Sequence, residues 1–152
     1  MLEKRLIEII EDKSSEITQV WYRDLKESHY TPTMKGISED EGMRMAIGVY
    51  EDLNGWLLPA GTHDLKGRYQ EFGEHLFHRG FQLEEVVMIL VLLKRYLWLA
   101  LLELGLMTTN LNIYQALELN NKVVLYFDRA IYFALVGYRE ARKVSQRAVP
   151  SK

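Results

Sequence analysis

A chain of 152 residues can bury roughly 70% of the surface that it would expose unfolded, so it needs no disulfide or metal staple to fold. Its 48% hydrophobic and 26% charged residues exclude the apolar poverty of a disordered chain. A net charge of -2 lacks the concentrated positive field that a nucleic-acid partner requires, and zero cysteines exclude disulfide frameworks, thiol catalysis and thiolate metal sites.

Leu2, Leu6, Ile9 and Ile10 recur at helical spacing and stop at Asp12-Lys13-Ser14-Ser15, where either serine can cap a second helix carrying Ile17, Val20, Trp21 and Leu25 inward. This N-terminus is too charged to be the apolar core of a signal peptide, so a cytoplasmic location is expected. His29 to Gly36, with Pro32 and Gly36, reads as a connection. Ser38-Glu39-Asp40-Glu41 has the capping-box form and opens a third helix with Met43, Ala46, Ile47, Tyr50, Leu53, Trp56 and Leu57 as its inward stripe, closed by Pro59 and Gly61. A fourth helix, Asp64 to Arg79, presents Leu65, Tyr69, Phe72 and Leu76, with Gly80 where a left-handed C-cap residue is wanted. Gly67 and Gly73 cost it roughly 1 kcal/mol each against alanine, so it is expected to be the least stable helix.

Two long helices follow, Leu83 to Leu106 and Leu111 to Gln146, separated by Met107-Thr108-Thr109-Asn110. Each carries two seams where a surface helix needs one: Leu83, Val87, Leu90, Lys94, Leu97, Leu101 and Leu104 beside Val86, Ile89, Leu93, Tyr96 and Ala100 on the first, and Ile113, Leu117, Val124, Phe127, Ile131 and Ala134 beside Leu119, Val123, Tyr126, Ala130, Phe133, Gly137 and Ala141 on the second. One face can pack on the domain and the other needs a partner, for which a second copy of the chain is the economical choice. The expected dimer interface is Leu83, Val87, Leu90, Leu97, Leu101, Val124, Phe127, Ile131 and Ala134, forming a four-helix bundle. Val86 to Leu106 is long enough to span a bilayer, but Lys94, Arg95 and Glu103 argue against insertion. No segment sustains a two-residue alternation, so the fold expected is all-α with about six helices over residues 1–146, residues 147–152 being a tail or the start of a linker.

Glu71, His75 and His78 can share a face of the fourth helix, but the strong zinc spacing of two histidines four apart around a glutamate is absent. No serine sits in a nucleophile elbow and no Gly-rich loop follows a strand, so no catalysis and no metal are expected. The basic run Arg139, Arg142, Lys143, Arg147 and Lys152 reads as a solvated helix end.

"RGFQLEEVVMILVLLKRYLWLALLE" (Arg79 to Glu103) and "LNNKVVLYFDRAIYFALVGYREA" (Leu119 to Ala141) resemble the N-terminal sensory domain of the RsbR type, found ahead of stressosome domains and bacterial histidine kinases. The more specific words are Leu83-Glu84-Glu85, Leu93-Lys94-Arg95 and Phe127-Asp128-Arg129-Ala130-Ile131, and the likeness covers about half the chain. It implies a globin-like fold without haem, dimerisation through the last two helices, and a non-catalytic sensory role that passes a signal to a downstream domain. Two other readings stand beside it. One is a haem-binding gas sensor with His75 or His78 as proximal ligand, since a globin carries its haem ligand on the short helix before the two long ones; the other is a structural scaffold or dimerisation module.

Overall fold

The structure is a computed structural model and describes residues 2–58, 64–103 and 110–148. It is all-helical: α1 (Leu2–Glu27), a 3-10 turn at Pro32–Gly36, α2 (Glu39–Leu57), α3 (Leu65–His78), α4 (Leu83–Glu103) and α5 (Asn110–Ala148). The expected breaks at Pro59 and Gly61 and at Met107 to Thr109, and most of the tail from Val149, lie outside the described residues.

Among the described residues five α-helices stand where six were expected, because the two N-terminal helices are one. Ser14 and Ser15 do not interrupt α1: the inward phase runs Leu6, Ile9, Ile10, Ile17, Trp21, Leu25 without slipping, and one face therefore packs along its whole length. Neither glycine nor proline intervenes, and the modest propensity cost of two serines is outweighed by burying Ile17 and Trp21, each at roughly 1.5–3 kcal/mol for a large apolar side chain. Val20, expected inward, is 44% exposed and lines a surface groove with Leu99 of α4.

Capping chemistry sets the remaining boundaries. Ser38 Oγ accepts from Glu41 N at 3.1 Å and starts α2. The reciprocal half of the expected capping box is not made: the Glu41 carboxylate turns away to take a bidentate contact from Arg79 at 2.8–3.1 Å, pinning the start of α2 to the end of α3. Asp64 Oδ1 caps α3 by accepting from Gly67 N at 2.9 Å. α3 ends as expected at Gly80, with φ +89°, where Phe81 N donates to Leu76 O and Gly80 N to Phe77 O, the paired bonds of a Schellman turn.

One continuous hydrophobic core draws on all five helices, with Trp21, Tyr50, Tyr69, Tyr126, Phe81 and Phe127 its largest fully buried side chains. The buried aromatic polar tips find main-chain acceptors or each other, while Asn54 Oδ1 on α2 is buried without a hydrogen-bond partner. Trp21 Nε1 donates to Ile89 O at 3.1 Å, Tyr50 OH to Leu93 O at 2.7 Å, and Tyr126 OH to Val49 O at 2.9 Å while also bonding Tyr69 OH. Burial drives the hydroxyls of Tyr50, Tyr69 and Tyr126 well above the ordinary tyrosine range, so all three stay protonated as donors.

Candidate functional site

Helical geometry divides the doubled seams of α4 and α5 unambiguously. On α4 the inward arc is Val86, Ile89, Leu90, Leu93, Leu97 and Leu101, all buried within the one chain. On α5 it includes Val123, Tyr126, Phe127, Ala130 and Ala134. Five residues expected at a dimer interface, Leu90, Leu97, Leu101, Phe127 and Ala134, are therefore internal core and have no surface to offer a partner. The other four, Leu83, Val87, Val124 and Ile131, are half-buried at the border of the core. Two adjacent seams on one helix look alike in sequence; the neighbours decide which turns inward.

Part of what remains outside is apolar. The outward arc of α4 carries Met88, Val91 and Trp98, half-buried, with Leu99 and Leu102 exposed, interrupted at mid-helix by Lys94 and Arg95. α5, which packs beside α4, presents Leu117 at 56% and Tyr132 at 64% exposure, together with half-buried Val124, Ile131 and Leu135, interrupted by Asp128. An amphipathic helix in a finished monomer shows water a polar face. Here two neighbouring helices show it hydrocarbon, with cations at the middle of one stripe and a carboxylate at the middle of the other.

α3 sits where the haem reading placed its ligand. Its buried positions are Leu65, Tyr69, Phe72, Gly73 and Leu76. His75 and His78 lie on the opposite face, exposed, and His78 Nε2 is 3.8 Å from Glu74. A proximal ligand must project into the space between the helices, and neither histidine does. Among the described residues no group of three or more histidine and carboxylate side chains is placed to hold a metal ion, and Glu71, His75 and His78 stand on the solvent side.

Glycine, read in the sequence as a defect of α3, is what seats it. A Cβ added at Gly73 would overlap Ala134 O and lie 2.9 Å from Tyr138 N; one added at Gly137 would overlap Gln70 O and lie 2.6 Å from Gln70 Cα. The two helices thus cross backbone against backbone, each supplying the glycine that admits the other. Just past the crossing, Tyr138 OH donates to Phe81 O at 2.7 Å, and the Tyr138 ring meets Phe77 edge-on at 5.2 Å.

The α3–α4 turn is held from its other side by Glu85, which is 1% exposed. Its carboxyl oxygens accept from Thr33 N at 2.8 Å, Thr33 Oγ1 at 2.7 Å and Gln82 N at 2.7 Å, closing the N-terminus of α4 and tying the Pro32–Gly36 turn to it. Among the described residues this is the one buried carboxyl, and its single sign in the sequence is its place three residues after Gln82 at a helix start.

α5 continues as one helix through Gln146 to Ala148, with Ala141 its last buried residue and Arg142 to Ala148 all exposed. Arg142 lies over the Tyr138 ring at 5.8 Å, and Glu140 takes contacts from Arg139 and Lys143 at 3.3 and 3.7 Å. No described helix is long and apolar enough to cross a membrane.

Compared with family models, with curated proteins and with solved structures, the chain has no significant match.

Proposed function

We propose that the chain is a non-catalytic, dimeric sensory input domain of a bacterial signal-transduction protein of the histidine kinase or stressosome type, related in fold to the haem-free, globin-like RsbR-type domains. The observation that carries this reading is the apolar outer face shared by α4 and α5. Contiguous exposed hydrocarbon on this scale marks an interaction surface, and a self-complementary pair of stripes suits an isologous two-fold contact, in which each patch meets its own copy. The charges that interrupt the two stripes, Lys94 and Arg95 on α4 and Asp128 on α5, are of opposite sign, so a two-fold contact that lays one stripe on the other can offset them. The signal leaves through α5, whose exposed end lies beyond the last buried turn, and two such ends at a dimer axis can transmit a rotation or shift to a following domain.

The test is the oligomeric state. Light scattering at micromolar concentration should report two chains per particle, and Leu117→Glu should convert it to one chain with an unchanged helical spectrum, because that position is solvent-facing in the single subunit. A wild-type particle of one chain's mass overturns the reading.

A further inference from the structure

We infer that α3 and the C-terminal half of α5 form a single cooperative unit, so that α3 is the lever through which α5 is moved. The relay role of the unit rests on the function proposed above; the unit itself does not.

Two ordinary packed helices interlock by side chains, and rotamer changes let one shift by a fraction of an ångström without the other. The α3–α5 crossing has no such slack. Gly73 and Gly137 remove the side chains at the point of contact and leave main chain against main chain: Ala134 and Tyr138 of α5 at Gly73, Gln70 of α3 at Gly137. A displacement of α3 toward α5 is met by backbone. A displacement away must also stretch the hydrogen bond from Tyr138 OH to Phe81 O, which hooks α5 over the turn that ends α3, and the Tyr69–Tyr126 hydroxyl bond on the other side of the crossing. The crossing is thus bracketed by polar ties, from one side of the helix pair at Tyr69 and Tyr126 and from the other at Tyr138. The open cleft beside it is walled by the same two helices, with Gln70, Glu71 and Glu74 facing Glu140, Ala141 and Val144. Anything that pushes on the exposed side of α3 therefore displaces the last buried turn of α5, and with it the exposed end.

Native-state hydrogen exchange on the intact chain tests this directly. Amides of residues 69–78 and of residues 130–141 should open together, with one protection factor and one dependence on denaturant, as members of a unit do. Tyr138→Phe, which keeps the ring and removes the hydroxyl, should lower protection in both segments by the same factor, about tenfold for a lost buried hydrogen bond, and leave residues 6–25 of α1 unchanged. Opening of residues 69–78 at a lower free energy while residues 130–141 stay closed overturns the inference, as does a Tyr138→Phe effect confined to one segment. Exchange and light scattering answer separately: a monomer with shared opening keeps the unit and loses the relay, whereas a dimer with separate openings loses only the unit.

Discussion

Replacing Gly73 by alanine sets two physical effects against each other with opposite signs. In the interior of a helix, alanine is favoured over glycine by about 1 kcal/mol, so intrinsic propensity alone makes Gly73→Ala stabilising. The crossing reverses this. The new methyl would overlap Ala134 O, with Ala134 C at 2.7 Å and Tyr138 N at 2.9 Å, and none of these is the end of a flexible side chain that can swing aside. Relief comes only by parting the helices, which loosens the packing of Phe72, Leu76, Ala130 and Ala134 together. Overpacking of a close contact costs about 1–3 kcal/mol, and this backbone clash belongs at the upper end, leaving a net loss of about 2 kcal/mol after the propensity gain. For a domain of this size the midpoint of thermal unfolding should fall by about 4–8 °C. Gly48→Ala is the control: its Cβ would meet only Arg68 Nη2 at 3.4 Å, so propensity should dominate there and raise stability by up to about 1 kcal/mol. Chemical denaturation of the two variants beside the wild type measures both. A Gly73→Ala protein as stable as the wild type, or more so, refutes the backbone-on-backbone crossing.

Glu85→Ala should destabilise by about 1–3 kcal/mol, since Thr33 N, Thr33 Oγ1 and Gln82 N lose their acceptor at a part-buried site; urea titration reads this, and a loss under about 0.5 kcal/mol would show that water substitutes for the carboxyl group. At the proposed dimer face, Arg95→Asp should weaken association and Asp128→Arg should restore it in the double variant; sedimentation velocity that finds the double variant no tighter than the single one removes this pairing. The buried tyrosines set an alkaline limit. Their folded-state hydroxyls titrate above the ordinary value of 10.0, so their contribution is full below that pH and is lost as pH rises past it. Ultraviolet titration should accordingly show a set of tyrosines ionising only as helix is lost, whereas full ionisation of all nine in a still-helical protein contradicts the burial. His75→Ala and His78→Ala should each shift stability by less than about 0.5 kcal/mol and leave the absorption spectrum of the purified protein unchanged; a Soret band that vanishes in either variant would restore the haem reading.

The sequence announced its helices wherever a local signal carried the information. Ser38, Asp64 and Gly80 end or begin helices through bonds to their own neighbours, within a few residues, and the structure places them as the caps they resemble. It was mute or misleading where the deciding partner lies far along the chain. Ser14 and Ser15 look like a cap, and the helix runs through them because Ile17 and Trp21 find their packing only in phase with Leu6 and Ile10. Glu41 looks like half of a capping box and serves Arg79, 38 residues away. Leu90 and Val87 belong to one seam by spacing, yet one is core and the other borders the surface, a distinction set by where α1, α2 and α5 lie around α4. Gly73 carries the same lesson in reverse, since a residue's cost to its own helix is visible locally and its benefit to a crossing is visible only with Gly137 in place.

Trp21 and Tyr50 both donate to carbonyls of α4, Ile89 O and Leu93 O, which lie one helical turn apart and already belong to the helix's own ladder. Leucines lie so nearly all round that helix that turning it about its axis would bring similar hydrocarbon against the same holes, at little cost in buried area. The two donors oppose that rotation. They grip α4 from two different helices on successive turns of one carbonyl row, and a rotation, or a slip by less than a full turn, would strand an indole N–H and a phenol O–H in the core at about 1–3 kcal/mol apiece. The core's hydrocarbon holds the helices together; these two polar atoms set which way α4 faces.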